Sequence, residues 1–531
     1  MTASTGAEAL LHTLVDGGVT TCFANPGTSE MHFVAALDAV PRMRGVLTLF
    51  EGVATGAADG YGRMAGHPAA TLLHLGPGLG NGLANLHNAR RAGTPVVNVV
   101  GDHATFHKPL DAPLESDVDA IAGAVSGWVR RSATPADVGP DTAAAIAAAC
   151  GPPGQVATLL LPADASWGAG AAPAAVPAAP ATQVTADADA LESAAKALRG
   201  GERCVLLIGG DAPADEAALV AADRIAAATG AVLLAETFPA RMVRGAGVPA
   251  VGRLGYVPDM AIHQLRGARH LVLVGARSPV TFFGYPATPS DLVPEGCAVH
   301  AVVPKGGAAA AALVALADLV LTGPAARVEA PRARAHRPEP PTGPLTVETA
   351  AAVVGALLPE GAVVVDEAVT SGIGLPAATA GAPRHDWLTL TGGAIGYGLP
   401  AAAGAALACP DRPVWCLQAD GSAMYTISAL WTHAREGLDV TTLVYSNAAY
   451  AILRMELLQV GASLQGDGGG QRARALFDLG TPTLDFVSLA RGMGVPAERA
   501  RTADELASAL RRAGSEPGPH LVEAVVPPLV P

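Results

Sequence analysis

Short runs rich in Val and Leu recur along the whole chain, and alanine-rich segments of helical length separate them. These runs lie at residues 71–75, 96–100, 157–161, 204–209, 270–275, 363–366, 414–418 and 441–446. A strand that is apolar on both sides is typical of a parallel sheet whose two faces are covered by helices. The pattern therefore predicts an α/β fold of doubly wound parallel sheets, in which ligands bind beyond the carboxyl ends of the strands.

Two stretches interrupt this alternation, at residues 163–190 and 324–345. Both are rich in Ala and Pro, a composition typical of extended connections between domains. They predict three doubly wound parallel-sheet domains at residues 1–165, 188–324 and 346–531, each of an ordinary domain size.

The charge balance limits the partners of the chain. Its 531 residues include 34 Lys and Arg against 47 Asp and Glu, a formal net charge of −13. Nucleic acids and anionic membranes favour a basic surface, so this acidic balance argues against both as partners. No apolar run reaches the roughly 18 residues of a membrane-spanning helix. The six cysteines form no CxxC pair, and no basic segment precedes an apolar run at the N-terminus. We therefore expect a cytoplasmic protein that binds neither nucleic acid nor membrane.

Polar side chains follow two strands of the third predicted domain. Asp420 comes just after the run at 414–418, and Asn447 follows the run at 441–446. Oxygen ligands that converge at one edge of a sheet are suited to Mg²⁺, which usually keeps phosphate oxygens in its shell. Gly421 and Ser422 begin the next helix, whose free N–H groups favour a diphosphate. The alternative is an ordinary turn in which Asp420 only caps that helix.

Ala419-Asp420-Gly421, followed 25 residues later by Asn447, resembles the GDG…N motif of thiamine diphosphate enzymes, with Ala in place of the first Gly. The resemblance implies thiamine diphosphate and Mg²⁺ as cofactors. It also implies that Asp420, Asn447 and the backbone carbonyl of Ala449 hold the metal.

Two further blocks of the third domain fit the same family. Residues 392–400 resemble the segment in which an aliphatic side chain, here Ile395, wedges under the cofactor and bends it, and the Gly393 carbonyl is a candidate acceptor for the aminopyrimidine. Thr370 and Ser371 follow the run at 363–366 and are candidate diphosphate contacts. The alternative for these two hydroxyls is simple helix capping.

Residues 47–51 are predicted to form the end of a buried strand, and a helix of small residues follows Glu51 and continues into Gly60-Tyr61-Gly62-Arg63. This order closely resembles the family pattern, which implies that the Glu51 carboxyl hydrogen-bonds the pyrimidine N1′ of the cofactor and thereby activates it. The alternative is a first-turn glutamate that interacts only with the helix dipole.

The remaining candidates come from the resemblance to benzoylformate decarboxylase. Thr28, in the turn at residues 25–30, aligns with a substrate-contacting serine of that enzyme, and His74 aligns with an active-site histidine. His103 and His107 follow the run at 96–100, and we take His107 as a further candidate. A histidine can exchange protons near neutral pH, but one at a strand end can equally be bonded to backbone.

Two other segments carry expectations. Phe283 stands where benzoylformate decarboxylase has a second catalytic histidine, which indicates a more apolar pocket wall; the alternative is core or interface packing. The run 466–470, with four Gly and one Asp, is interpreted either as part of a lid over the substrate or as a plain surface loop.

The resemblance to acetolactate synthase and benzoylformate decarboxylase covers nearly the whole chain. It implies a pyrimidine-binding first domain, a central domain and a diphosphate-binding third domain. The expected reaction is decarboxylation of a 2-keto acid, followed by release of an aldehyde or by carboligation to a second carbonyl. The resemblance also implies a homodimer or homotetramer with the active site between subunits. FAD is possible in the central domain, but no GxGxxG fingerprint supports it, and a catalytically silent cofactor-binding subunit is the remaining alternative.

Overall fold

The computed structural model describes residues 4–177, 183–286, 288–329, 331–459 and 471–527, so the glycine-rich run at 466–470 lies outside the described residues. Three sheets, each flanked by helices, account for the described strands. All but one of their strand pairings are parallel. The predicted α/β class, with three mainly parallel sheets, is thus confirmed.

The first sheet is formed by the N-terminal third of the chain. Its strands are β1 (Thr21–Ala24), β2 (Arg44–Leu47), β3 (Ala69–His74), β4 (Val96–Asp102), β5 (Trp128–Arg131) and β6 (Val156–Pro162). Its helices are α1 (Gly6–Asp16), α2 (Met31–Ala36), α3 (Glu51–Ala65), α4 (Leu75–Ala92), α5 (Val118–Val125), α6 (Pro135–Cys150) and α7 (Ala163–Trp167). The strand order is β2-β1-β3-β4-β6-β5, with every neighbour parallel.

The second sheet belongs to the central segment. Its elements are α8 (Ala188–Arg199), β7 (Cys204–Ile208), α9 (Glu216–Thr229), β8 (Val232–Ala235), β9 (Arg241–Arg244), β10 (Gly252–Arg253), α10 (Pro258–Leu265), β11 (His270–Val274), β12 (Ala298–Val303) and α11 (Ala309–Val320). The strand order is β10-β8-β7-β11-β12. β9 is absent from this sheet because it joins the third one.

The third sheet is formed mainly by the C-terminal segment. Its strands there are β13 (Val363–Glu367), β14 (His385–Thr389), β15 (Val414–Ala419), β16 (Val440–Ser446), β17 (Ala497–Ala500) and β18 (His520–Val525). The helices are α12 (Val347–Leu357), α13 (Leu375–Ala378), α14 (Gly398–Ala408), α15 (Asp420–Ala423), α16 (Ala429–Glu436), α17 (Ala451–Gln459), α18 (Gln471–Phe477), α19 (Phe486–Gly492) and α20 (Ala503–Ala513). The order is β17-β18-β16-β15-β13-β14-β9, and β9 pairs antiparallel with β14, covering an edge that would otherwise be unpaired.

The C-terminal sheet shares buried apolar cores with both other parts of the chain. The core shared with the N-terminal part includes α3 and α14, which cross so closely that glycines are required at the contact. A Cβ on Gly404 would lie 1.8 Å from the carbonyl oxygen of Ala57, and one on Gly60 would lie 2.1 Å from that of Ala401. The crossing brings the helix that begins at Glu51 against the helix that begins within the 392–400 block.

Replacing Gly404 by Ala tests this crossing, because the added methyl group meets a backbone oxygen that cannot move alone. Overpacking costs about 1–3 kcal/mol, and we expect Gly404→Ala to lower the free energy of unfolding by that amount in a urea titration. Gly123→Ala in α5 is the matched control, since nothing lies within 4 Å of a Cβ added there. This variant should raise the free energy of unfolding by roughly 0.5–1 kcal/mol. Equal stability of the two variants would contradict the close crossing.

None of the helices in the described ranges combines the length with the apolar character that crossing a bilayer requires.

Candidate active site

The prediction of a buried strand at 47–51 is wrong, because β2 ends at Leu47 and Leu49 is exposed. Glu51 is instead the first residue of α3, four positions after the end of β2. Its side chain is buried, with 6% of its surface exposed, and one carboxylate oxygen accepts a hydrogen bond from Asn81 Nδ2 at 3.0 Å. A Cβ on Gly78 would lie 3.2 Å from Glu51 Oε1 and 3.3 Å from the Cβ of His74. The bare backbone of Gly78 therefore lies between Glu51 and His74, which border the same space.

His74 ends β3 and is held by the turn that follows β1. Its Nδ1 lies 2.9 Å from Glu30 Oε2 and 3.0 Å from Ser29 Oγ, and Ser29 also donates to Glu30. The Glu30 side chain is buried and accepts a further bond from the Gly27 N–H at 2.8 Å. A carboxylate oxygen accepts hydrogen bonds, so this contact favours the tautomer with the proton on Nδ1, which leaves Nε2 without a partner in this turn.

Sequence reasoning chose Thr28 in this turn and missed its two neighbours. Thr28 is exposed, whereas Ser29 and Glu30 are the residues that contact His74. One signal could have identified Glu30. It lies three residues after Gly27, the spacing at which a glutamate bonds back to the start of a helical turn, so its side chain is directed inward rather than to solvent.

His107 lies in the loop after β4, where its ring packs against that of His103 with centroids 5.4 Å apart. Both rings are partly buried, and His103 Nε2 is buried without a hydrogen-bond partner. The pair thus forms a small imidazole cluster at the carboxyl edge of the first sheet, the edge at which His74 also lies.

Asp420 and Asn447 come together at the carboxyl ends of β15 and β16, which are adjacent parallel strands. Asp420 is buried, and its Oδ2 accepts the N–H groups of Asn447 at 3.0 Å and Ala448 at 2.7 Å. The Asn447 Oδ1 accepts the Ala449 N–H at 2.9 Å. Burial raises the pKa of the Asp420 carboxyl to about 6. A buried carboxylate held by N–H groups, beside an amide oxygen, suits a hard cation.

At the start of α15, the backbone of Gly421 lies close to the ring of Tyr450. A Cβ on Gly421 would lie 2.3 Å from Cε1 of Tyr450, so no larger residue fits without moving that ring. Ser422 Oγ is buried and accepts a hydrogen bond from Gln418 Nε2 at 2.9 Å. Both residues follow Asp420 directly, so the N–H groups at the helix start and the acidic side chain face the same edge of the sheet.

Thr370 and Ser371 lie in a helical turn after β13, and both are buried.

Gly393 adopts a φ of +75°, and Ile395 is partly buried against the core shared by the N- and C-terminal parts. The turn that contains them is held by the N-terminal part of the chain: Asn88 Nδ2 donates to the Ala394 carbonyl at 2.8 Å.

Backbone strain marks the same edges. In the described part of the chain, the non-glycine residues with positive φ are Leu75, Asp111, Val369 and Ala448. Three of them directly adjoin the candidate residues His74, Thr370 and Asn447. Each such conformation costs about 1–3 kcal/mol and persists where the surroundings enforce it, often at functional sites. The outlier is sharpest at Val369, because its side chain is β-branched.

Phe283 lies on the surface of the central segment, with 59% of its surface exposed, next to an aromatic cluster. The Tyr256 and Phe282 rings in this cluster have centroids 4.7 Å apart. Two phenol groups from this region, on Tyr256 and Tyr285, donate to the two oxygens of Glu456 in α17 at 3.2 and 2.8 Å. The cluster therefore contacts the helix that follows the Asn447 turn.

Comparison with known proteins identifies the family. A model described as "Thiamine pyrophosphate enzyme, N-terminal TPP binding domain" matches residues 4–121, and its "C-terminal TPP binding domain" counterpart matches residues 372–524. The two matched ranges contain the Glu51 and the Asp420–Asn447 regions. The chain belongs to the thiamine pyrophosphate enzyme family and is a thiamine diphosphate-dependent enzyme, as the resemblance implied.

The relatives have two kinds of names. A Mycobacterium tuberculosis protein provisionally named acetolactate synthase large subunit IlvX is 65% identical over 99% of both chains. The benzoylformate decarboxylase of Pseudomonas aeruginosa is 32% identical over 95% of this chain and 96% of its own. Among solved structures, the thiamine diphosphate-dependent 4-hydroxybenzoylformate decarboxylase of Rhodococcus jostii RHA1 superposes with a TM-score of 0.84, at 26% identity over 99% of each chain.

The contacts around His74 give a testable prediction. Glu30→Gln, His74→Ala and the double variant should not lower log(kcat/KM) additively, because the two side chains act through one hydrogen-bonded unit. We expect a coupling energy of about 0.5–3 kcal/mol between them, measured in a double-mutant cycle with any substrate that the enzyme turns over. Strict additivity would show that Glu30 does not act through His74.

Proposed function

We propose that the enzyme decarboxylates a 2-keto acid with thiamine diphosphate and Mg²⁺, and that the product leaves as an aldehyde or is joined to a second carbonyl compound. The observation that carries the proposal is Glu51, a buried carboxylate at the start of a helix in the N-terminal cofactor-binding domain. A silent cofactor-binding subunit would not need that group. Relatives named acetolactate synthase and benzoylformate decarboxylase support this class of reaction.

The residues at the third sheet fit the cofactor. Asp420 supplies a buried carboxylate, Asn447 an amide oxygen and Ala449 a backbone carbonyl, an oxygen set suited to Mg²⁺. The groups that would contact the diphosphate and the pyrimidine are contributed by turns of the same domain: Thr370, Ser371, Gly393, Ile395, Gly421 and Ser422. When bound, thiamine diphosphate supplies the electron sink that allows a 2-keto acid to lose CO₂.

The N-terminal domain supplies the proton-handling groups. The Glu51 carboxyl would share a proton with pyrimidine N1′, and the Asn81 amide would orient it. His74 would exchange a proton with the substrate through Nε2, because Nδ1 is held by Ser29 and Glu30. Thr28 lies in the helical turn after β1 and His107 in the loop after β4, at the same edge of the first sheet, and both are proposed to contact the substrate.

We propose further that the active site lies between two subunits of a homodimer or homotetramer, with Glu51 from one and Asp420 from its partner. Large apolar side chains near both halves of the site are exposed in the single chain: Leu49, Val369, Ile373, Tyr425 and Leu453. Exposed apolar surface of this kind marks an interaction site. The six cysteines are all free thiols, which supports a reducing, cytoplasmic location.

A mixing experiment tests the shared site. Chains carrying Glu51→Gln and chains carrying Asp420→Ala are each expected to be inactive. After mixing and exchange of subunits, a mixed dimer has one site with both wild-type residues and one site with neither. Activity should therefore return on mixing. Absence of recovery, with mixed dimers demonstrated by native mass spectrometry, would place both residues in one chain's site.

Incubating the purified protein with thiamine diphosphate, Mg²⁺ and a panel of aliphatic and aromatic 2-keto acids tests the reaction itself. Proton NMR of the products distinguishes an aldehyde, which indicates simple decarboxylation, from a 2-hydroxy ketone or an acetohydroxy acid, which indicates carboligation. Complete recovery of every donor, with cofactor binding intact, would contradict the proposal.

A further inference from the structure

Glu367 is a buried carboxylate for which the reaction outlined above has no use. It ends β13, exposes 2% of its surface, and forms no ion pair with any cation of the described residues. Burial raises the pKa of its carboxyl. Taking a carboxylate out of water without a counter-ion is costly unless hydrogen bonds replace its hydration. The hydrogen-bond partners of the Glu367 carboxylate therefore indicate its role.

Those partners are four N–H donors, three of them from one turn. Oε1 accepts the N–H groups of Gly396 at 2.8 Å and Tyr397 at 3.1 Å, and Oε2 accepts that of Gly398 at 2.7 Å. The fourth donor is Gln418 Nε2, at 2.8 Å from Oε2. The carboxylate thus occupies the N-terminal end of α14, where free N–H groups favour a negative charge.

The opposite side of the same turn is held by carbonyl groups. The Gly396 carbonyl accepts from Asn85 Nδ2 at 3.2 Å and from Thr426 Oγ1 at 3.0 Å, and the Ala394 carbonyl accepts from Asn88 Nδ2 at 2.8 Å. The N–H groups of the turn are therefore bonded to the C-terminal sheet, whereas two of its carbonyl groups are bonded to side chains of α4 in the N-terminal part. Ile395 lies between the two sets of bonds.

We propose that Glu367 is a positioning residue, which holds the turn at residues 393–398 in the conformation that receives the pyrimidine half of the cofactor. The inference rests on the proposed roles of Gly393 and Ile395. Because one carboxylate bonds three successive N–H groups, a change there moves the whole turn rather than one atom. A glutamine cannot replace it, since its amide nitrogen would face an N–H donor.

Glu367→Gln tests the proposal with two measurements, both made on the full-length protein. In the protein without cofactor, hydrogen exchange of the amides at 396–398 should become at least about tenfold faster, the scale expected when buried donors lose their acceptor. In calorimetric titration with thiamine diphosphate and Mg²⁺, the Kd should rise by about tenfold or more. Glu523→Gln is the matched control, because Glu523 is equally buried but pairs with Arg499, and it should change neither measurement.

The outcomes separate this inference from the proposed function. Wild-type exchange rates and a wild-type Kd in Glu367→Gln would overturn the positioning role. Faster exchange with an unchanged Kd would also overturn it, since the turn would then not matter to the cofactor. A wild-type protein that binds no thiamine diphosphate would refute the proposed function instead. Should Glu367→Gln fail to fold, Gln418→Leu removes one donor and leaves the carboxylate. This variant also removes the donor to Ser422 Oγ, so the exchange of the amides at 396–398 is its deciding measurement: faster exchange would support the role, and wild-type rates would refute it.

Discussion

Replacing Glu51 by Gln is expected to lower kcat by about 10²–10⁴-fold, the contribution typical of a positioned acid–base group, while thiamine diphosphate and Mg²⁺ still bind. The reason is that a glutamine side chain preserves the size of the group and a hydrogen bond to the cofactor but cannot give up or take a proton at pyrimidine N1′. Steady-state turnover and calorimetric cofactor binding measure the two halves of this expectation separately.

Glu523→Gln serves as the control for Glu51→Gln. It makes the same chemical change at a carboxylate that is also buried, with 2% exposed, but that lies in β18 and pairs with Arg499. Its kcat should stay close to the wild-type value. Wild-type turnover by the Glu51→Gln variant would show that the reaction does not depend on the Glu51 carboxyl, and would contradict the proposed chemistry.

Replacing Asp420 by Ala is expected to weaken thiamine diphosphate binding by more than about 100-fold. Mutating a residue that only supports a metal ligand already costs about 10–100-fold in metal affinity, and Asp420 is proposed to bind the metal directly. The variant removes the buried carboxylate beside Asn447 and with it the acceptor of three backbone N–H groups, those of Gly421, Asn447 and Ala448. Titration with the cofactor in the presence of Mg²⁺, and again with EDTA, measures the effect and its dependence on the metal.

Asp439→Ala is the matched control for Asp420→Ala. Asp439 directly precedes β16 at the amino edge of the same sheet, opposite the site, and is exposed. It should bind the cofactor as the wild type does. If EDTA leaves wild-type affinity unchanged, or if Asp420→Ala binds normally, the magnesium site does not lie at the carboxyl ends of β15 and β16.

Much of the fold follows from local patterns in the sequence. Continuous apolar runs identify buried parallel strands, and the residues after each run are necessarily near one another, because parallel strands end at one edge. That reasoning places Asp420 beside Asn447 without any structure, and the structure brings them together. Glu51 was predicted from the resemblance to the family pattern instead, and the structure places it at the beginning of α3.

The parts that the sequence does not reveal depend on contacts between distant segments. The antiparallel pairing of β9 with β14 joins segments far apart in the chain, and nothing in the short run at 241–244 specifies its partner. Ser29 and Glu30 become recognisable only once His74 is placed against their turn. Glu367 resembles an ordinary polar strand end until the N–H groups of residues 396–398 are seen around it.

The most direct test of this account is release of ¹³CO₂ from 2-keto acids labelled at C1. The account predicts release by the wild-type protein from at least one donor, only when thiamine diphosphate and Mg²⁺ are both present, and almost none from Glu51→Gln under the same conditions. Release that continues without the cofactor, or no release from any donor by protein shown to bind it, would contradict the assignment of this enzyme as a 2-keto acid decarboxylase.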